Sequence, residues 1–197
     1  MRSILYWNSY IYSFLVRLQF NKYYTDRYIA VKNIIEDNSS VIDVCCGDSK
    51  LYSFLKCKNV KYLGLDFNTK FIKYSKKNNI NVKNFNIIEE VIPKADYVVM
   101  QASLYQFIPD HNQVINKLFN AALKCLIITE PVKSFAQSKN RVISMAGKLL
   151  NNPGDSLKEH RFTLKTLKEA MSPFSDNIVK EFLIKGGIEY LVDIRKN

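Results

Sequence analysis

The residues best placed for chemistry lie at the ends of two predicted strands. The segment 41–50, VIDVCCGDSK, carries Asp43 in an apolar run that leads into a turn at Gly47 and then a helix. Asp66 follows Gly47 by nineteen residues and ends a second apolar run. Such a turn lets a ligand approach the backbone at a helix N-terminus, and an acid about twenty positions on accepts hydrogen bonds from ribose hydroxyls. The spacing predicts a site for a nucleoside-containing ligand.

The same turn argues against a nicotinamide dinucleotide. The dinucleotide fingerprint uses several glycines so that the backbone can approach a pyrophosphate, whereas Gly47 is the only glycine here. Asp43 and Asp48 bracket the turn with negative charge, which disfavours an anion. Asp43 instead suits a ligand that carries a positively charged amino group.

Alternating strands and helices must position these residues. Between the predicted strands, apolar residues recur with helical spacing, which argues for crossover helices and hence a parallel sheet. The predicted helix that follows Pro109 begins with a capping-box pattern, Asp110 and Gln113. Predicted strands cover 41–45, 62–65, 82–85, 96–100 and 125–129, and helices are predicted near 51–55, 71–74, 114–119, 134–150 and 163–171.

The C-terminal end predicts a hairpin. Strand-like runs at 179–184 and 189–194 are joined by Lys185-Gly186-Gly187-Ile188, a turn sequence typical of antiparallel neighbours. An antiparallel pair therefore closes an otherwise parallel sheet. The extra segment 131–177 follows the fifth strand, where α/β proteins build substrate sites.

With these residues in place, the chain resembles the class I S-adenosylmethionine-dependent methyltransferases. Their first motif reads roughly D/E-x-G-x-G-x-G, and Asp43, Cys45, Gly47 and Ser49 occupy its four defined positions, with Cys46 between them. Cys45 and Ser49 are small, which preserves room but loses the backbone freedom of glycine. The resemblance covers residues 39–131 and 178–194. It implies a Rossmann-like, doubly wound sheet of seven strands with the last antiparallel, S-adenosylmethionine as cofactor, and a methyltransferase of small-molecule type.

The resemblance also assigns cofactor contacts. It implies that Asp66 holds the adenosine ribose, that Phe67 packs on the adenine, and that Asn86 with Ile87 touches the adenine edge. Gln101 ends the fourth strand in the segment 95–107, which resembles the family's fourth motif. An N-terminal lid helix is common in the family and would bring Tyr24 close to the cofactor carboxylate.

Three residues are candidates for chemistry at the acceptor. His160 has a side chain that can take a proton near neutral pH, although a position at the surface or in an N-capping region would also explain it. Tyr105, just past the fourth strand, suits binding of substrate or cofactor, or core packing, and Glu130 suits orienting an amine or hydroxyl or capping a turn. His111, in the first turn of a predicted helix, is expected to be solvated.

Composition limits the partners. The 197 residues carry a net charge of +11, which suits an anionic partner or reflects a lysine-rich genome bias. Lysines and arginines crowd residues 133–168, which favours a phosphorylated lipid or sugar precursor or simply a solvated helix face. Nucleic-acid bases are disfavoured as substrates because Gln-Ala-Ser-Leu stands where such enzymes usually carry a D/N/S-P-P-Y/F/W motif. No metal site is predicted, since two histidines and four cysteines without a C-x-x-C pair offer no zinc spacing.

We expect one methyltransferase domain over 1–197, with a helical lid (1–38), a cofactor core (39–130), a substrate-site insertion (131–177) and a C-terminal hairpin (178–197). The function that follows is methyl transfer to O or N of a small molecule. An RNA-directed methyltransferase and a non-catalytic nucleoside-binding module are the alternatives. Residues 1–28 hold nine aromatic residues and only one acid, so the lid also has the composition of a membrane-contacting segment. A cytoplasmic protein with some membrane association is expected, its cysteines being free thiols.

Overall fold

The computed structural model describes residues 25–132 and 161–196. Their helices are α1 (Asp26–Lys32), α2 (Lys50–Leu55), α3 (Thr69–Lys77), α4 (His111–Ala121) and α5 (Leu164–Met171). The strands are β1 (Ser40–Val44), β2 (Lys61–Asp66), β3 (Val82–Asn84), β4 (Ala95–Gln101), β5 (Ala122–Pro131), β6 (Ile178–Leu183) and β7 (Glu189–Arg195). Short 3₁₀ turns cover Lys56–Lys58, Leu104–Phe107 and Ser172–Asn177.

The seven strands form one sheet in the order β3-β2-β1-β4-β5-β7-β6. Strands β1 to β5 are parallel, and β7 runs antiparallel to both β5 and β6. The order reverses between β1 and β4, which is the switch point where open α/β sheets bind ligands. The predicted doubly wound sheet with an antiparallel end is confirmed.

Each face of the sheet has its own core, because successive strand residues point to opposite sides. Val41, Tyr97, Val99 and Ile127 pack with α1 and α2 on what we call the α1 face. The next residue along each strand points to the other side. Ile42, Val98, Met100 and Ile128 pack there with α4 and α5, on what we call the α4 face. This alternation decides which polar residues at the strand ends meet one another.

Two helix starts differ in how they are capped. The capping box predicted at Asp110 is not formed, because the Asp110 side chain makes no capping bond and its carbonyl oxygen accepts the Gln113 N–H instead. The predicted helix near 163–171 is confirmed as α5, and there a capping box joins Thr163 and Thr166. The predicted helix near 134–150 and most of the lid lie outside the described residues. None of the helices described is long and apolar enough to cross a bilayer.

Candidate functional site

The turn after β1 has the backbone of a glycine motif although it contains one glycine. Cys45, Gly47 and Ser49 adopt φ values of 57°, 55° and 56°, in the left-handed region that favours glycine. An L-residue pays roughly 1–2 kcal/mol for that conformation. The turn is tied to the sheet where the Cys46 N–H donates to the Leu65 carbonyl at 3.1 Å. Losing the glycines has therefore not changed the shape of the turn.

The side chain of Ser49 supplies part of the compensation. It is buried, and its Oγ lies 2.9 Å from Ser75 Oγ of α3 and within hydrogen-bond reach of Cys46 Sγ. Glycine would make none of these contacts. Gly47 lies between Cys45 and Ser49, and a Cβ there would meet nothing within 4 Å. Its backbone conformation, and not a lack of space, therefore favours glycine at this position. That open side of the turn is where a ligand can approach.

Asp66 joins this turn to the end of β2. Its Oδ2 accepts the Gly47 N–H and its Oδ1 accepts the Asn68 N–H, both at 2.8 Å. Burial raises the pKa of the carboxyl, and these two amide bonds oppose that rise. Each carboxylate oxygen has a further lone pair, so Asp66 can still accept ribose hydroxyls while it holds the turn.

Asp43 is buried within the sheet near the end of β1 and is not exposed at the turn. It is only 2% exposed and accepts the Tyr62 hydroxyl hydrogen at 2.8 Å on the α1 face. Burial raises its pKa to about 7, a rise that the Tyr62 bond opposes and the nearby Asp66 charge adds to. The structure thus brings the two predicted carboxylates together, but Asp43 acts from within the sheet.

The residues predicted to contact the adenine differ in exposure. Phe67 is 58% exposed and offers an open ring beside Asp66. Ile87 is only 5% exposed and packs in the α4-face core, whereas its neighbour Ile88 is 58% exposed. Asn86 holds this loop, since its side-chain oxygen accepts the Ile88 N–H at 3.1 Å. Ile88, which the sequence reasoning passed over, is thus an exposed apolar side chain next to the predicted adenine contact.

A pair of buried polar atoms lies at the ends of β4 and β5. Gln101 and Thr129 are directly opposite in register and share the α1 face. Gln101 Oε1 and Thr129 Oγ1 are buried, and neither has a hydrogen-bond partner among the described residues. Buried polar atoms are rarely left unpaired, so this pair is suited to a ligand that donates hydrogen bonds. The sequence reasoning missed Thr129, whose only signal was a polar residue at the end of an apolar strand.

Glu130 points to the other side of the sheet. It is 0% exposed, and its Oε2 accepts the Leu104 N–H at 3.0 Å, while no group within residues 25–132 and 161–196 forms a hydrogen bond with Oε1. Burial raises its pKa to about 8. Tyr105, next along the same 3₁₀ turn, is half-buried and has the Arg161 guanidinium 3.5 Å from its ring centroid. Glu130 therefore anchors the turn that carries Tyr105.

A buried ion pair at the same edge had no local sequence signal. Arg27 of α1 donates to Glu189 of β7 at 2.8 Å, and the two residues are 162 positions apart. Arg27 also lowers the pKa of Asp43, although burial dominates there. The pair holds α1 across the strand ends on the α1 face, the face that also carries Gln101.

The remaining predicted residues have mixed outcomes. His160 and Tyr24 lie outside the described residues, as does most of the basic segment 133–168. His111 is not solvated as expected: it is half-buried, with its ring edge-on to Phe162 at 5.2 Å. All four cysteines are free thiols, as predicted.

Comparison with known proteins identifies this arrangement. The sequence pattern of the family described as methionine biosynthesis protein MetW matches residues 25–152, well over half of the chain. The chain belongs to the MetW family. No curated protein matches the sequence.

Solved structures similar to this MetW-family protein share its fold at low identity. A chain of the complex between the Haloferax volcanii Trm112 methyltransferase activator and a methyltransferase is 10% identical, with a TM-score of 0.72 over 100% of both chains. Magnesium protoporphyrin IX methyltransferase from Synechocystis PCC 6803, with bound SAH, is 12% identical, with a TM-score of 0.66 over 98% of this chain and 96% of that one. An S-adenosylmethionine-dependent methyltransferase from Mesorhizobium loti is 13% identical, with a TM-score of 0.65 over 87% and 98%. The expected class I methyltransferase fold is confirmed.

Proposed function

We propose that this MetW-family protein transfers a methyl group from S-adenosylmethionine to an oxygen or nitrogen of a small molecule. The observation that carries the proposal is the turn after β1. It keeps three left-handed residues, two of them not glycine, and its Gly47 N–H is held by Asp66. A turn retained at that conformational cost is typical of a binding site, where strained backbone is concentrated.

The residues present fit the cofactor. Asp66 would accept the ribose hydroxyls, the exposed Phe67 ring would cover the adenine, and the backbone from Cys45 to Gly47 would approach the methionine part. Tyr24, outside the described residues, remains a candidate for its carboxylate. The cofactor supplies a methyl group on a sulfonium leaving group, and the chain supplies binding and alignment. Bringing the two reactants into line can provide on the order of 7–11 kcal/mol of the barrier.

Carboxyl groups at the strand ends favour a positively charged ligand at this edge. Asp43 and Glu189 are buried and Asp66 is half-buried, near the ends of β1, β7 and β2, and Arg27 pairs with Glu189 alone of the three. A sulfonium and an ammonium would be attracted to this surplus of carboxyl groups, whereas a pyrophosphate would be repelled.

Two hydrogen-bond acceptors without a partner among the described residues lie where we place the molecule that receives the methyl group. Gln101 Oε1 and Thr129 Oγ1 suit a hydroxyl or amine that donates a hydrogen bond as it approaches the methyl group. A base is needed only where the acceptor must lose a proton. Tyr105 and His160 are the candidates for contact with the acceptor, and Glu130 positions the turn that carries Tyr105.

The substrate class is proposed from charge. The lysines and arginines of residues 133–168 favour an anionic lipid or sugar precursor, and the aromatic lid would let a cytoplasmic protein reach a lipid-linked acceptor at a membrane. An RNA-directed methyltransferase is the alternative that the net charge of +11 favours. A steep salt dependence of RNA affinity would support that alternative.

A non-catalytic nucleoside-binding protein is the second candidate, favoured by the missing glycines at Cys45 and Ser49. Calorimetry with S-adenosylmethionine, S-adenosylhomocysteine and NAD tests the site, and we expect heat only with the first two. Incubation with methyl-labelled S-adenosylmethionine and a metabolite extract then tests transfer. Labelled product supports the enzyme, and binding without transfer to any acceptor supports the non-catalytic protein. Heat only with NAD would refute both.

Thr129→Val tests the acceptor side. The substitution removes a buried hydroxyl that has no partner in the structure, so we expect a melting temperature at or above that of the wild type. Affinity for S-adenosylhomocysteine should be unchanged while methyl transfer falls. A lower melting temperature with unchanged transfer would show that the hydroxyl has a structural role instead.

A further inference from the structure

Positive charge is concentrated in one unit of the fold. Residues 49–88, which contain α2, β2, α3 and β3, carry nine lysines and one acid, the partly buried Asp66. The other described residues, 25–48, 89–132 and 161–196, carry twelve basic and fifteen acidic side chains. The excess of positive charge in the described part therefore lies entirely on this unit. We call its lysine-bearing surface the lysine face.

Two helices of this unit carry most of the lysines. The start of α2 contacts α3, where Ser49 Oγ lies 2.9 Å from Ser75 Oγ. In α3 the buried residues Phe71, Ile72 and Ser75 face the sheet. Lysines occupy the opposite side of that helix at 70, 73, 76 and 77. Lys56 and Lys58 extend the surface along the 3₁₀ turn that follows α2.

Few of these charges are neutralised locally. Lys58 pairs with Asp37 at 2.9 Å and Lys83 with Glu90 at 3.2 Å. The part of the chain that the structure describes offers no carboxylate within ion-pair distance of Lys50, Lys56, Lys61, Lys73, Lys76 or Lys77. So many exposed ammonium groups repel one another, and a polyanion would relieve that repulsion.

The composition of the surface distinguishes a lipid headgroup layer from RNA. All nine cations are lysines, and none is an arginine with the planar fork that recognises bases and phosphates bidentately. The rings of Tyr52 and Phe54 already lie under Lys56 and Lys50, at 5.4 Å and 5.9 Å from the ring centroids. Single-stranded nucleic acid is bound by open aromatic rings on which bases stack, and Phe67, the aromatic ring of this unit that is more than half exposed, is assigned to the adenine in the proposed function. A bilayer needs only clustered lysines on a broad surface.

We propose that the lysine face binds the surface of an anionic lipid bilayer. Lys73, Lys76 and Lys77 would meet the headgroups along the outer side of α3, with Lys56 and Lys61 beside them. The proposal depends neither on the aromatic lid nor on methyl transfer. It predicts reversible, salt-sensitive binding, because exposed charges are screened beyond about 10 Å at 0.1 M salt.

The test compares two triple variants of the full-length protein. Lys73→Gln/Lys76→Gln/Lys77→Gln removes three charges from the lysine face. The matched control, Lys124→Gln/Lys180→Gln/Lys185→Gln, removes three exposed lysines from β5 and the C-terminal hairpin. Sedimentation with vesicles of equal parts phosphatidylcholine and phosphatidylserine measures binding. Vesicles of phosphatidylcholine alone are the uncharged probe, and polyuridylate is the RNA probe. S-adenosylhomocysteine affinity and melting temperature show that each variant is folded.

We expect the wild type and the control to bind the phosphatidylserine vesicles, and the α3 variant to bind them about a hundredfold more weakly. None should bind phosphatidylcholine alone. Equal binding by the two variants would overturn the proposal, as would no binding by the wild type at low salt. Displacement of the protein from vesicles by polyuridylate, with tighter binding to the RNA, would assign the lysine face to nucleic acid instead.

Discussion

Replacing Asp66 with alanine is the sharpest test of the cofactor site. The carboxylate accepts two backbone N–H groups, from Gly47 and Asn68, and in the proposed complex it also accepts ribose hydroxyls. A hydrogen bond to a charged group contributes roughly 1.5–3 kcal/mol. Loss of the ribose contact alone therefore weakens S-adenosylhomocysteine binding by about tenfold to a hundredfold, since about 1.4 kcal/mol is a factor of ten. The freed Gly47 N–H would loosen the turn and add to the loss.

Asp96→Ala is the matched control for that experiment. Asp96 Oδ2 also accepts two hydrogen bonds, from the Ser40 N–H at 2.8 Å and the Ser40 hydroxyl at 2.7 Å, but at the opposite end of the sheet. We expect calorimetry to give a wild-type dissociation constant for Asp96→Ala, with a lower melting temperature. If Asp66→Ala binds S-adenosylhomocysteine as tightly as the control does, the ribose assignment is wrong.

Three further predictions concern how the strand ends are held. Gly64→Ala should lower the melting temperature by several degrees without unfolding the protein, because its Cβ would lie 2.8 Å from Cys46 Sγ; an unchanged thermal scan would contradict this packing. Arg27→Met should cost about 3–5 kcal/mol in urea unfolding by leaving Glu189 buried and uncompensated, and adding Glu189→Leu should recover much of the loss. A double variant no more stable than the single one would count against the pair. Glu130 has a raised pKa of about 8, so the folded state holds a proton that the unfolded state has lost. Stability should therefore fall as pH rises from about 4.5 to about 8. Melting curves of Glu130→Gln should show a shallower decline over that range, and an equal slope would mean that Glu130 is ionised when folded.

Local pattern was enough to predict the frame of the cofactor site. Strand and helix periodicity reflects which side of each element is buried, and that is written in neighbouring residues. The alternation therefore located every strand, including the short β3, and placed Asp43 and Asp66 on adjacent strands. The motif positions Cys45 and Ser49 also kept the left-handed backbone that the family pattern implies.

Where each polar side chain points depended on contacts between distant parts of the chain. Asp43 on β1 accepts the hydroxyl hydrogen of Tyr62 on the neighbouring strand β2, and Glu130 on β5 accepts the Leu104 N–H of the turn that follows β4. The capping box predicted at Asp110 is not formed, because the Gln113 N–H donates to the Asp110 backbone carbonyl oxygen and not to its side chain.

The sequence by itself determined the order of elements, the nucleoside-type turn and the excess of lysine. Only the tertiary structure decided that Gln101 and Thr129 meet on one face while Glu130 lies on the other, and that Arg27 pairs with Glu189. It also decided that the lysines of α3 lie on the side of that helix away from the sheet. The physical reason is that element formation depends on short-range burial patterns, whereas pairing of charges and polar atoms depends on strand order, which brings together residues far apart in the chain.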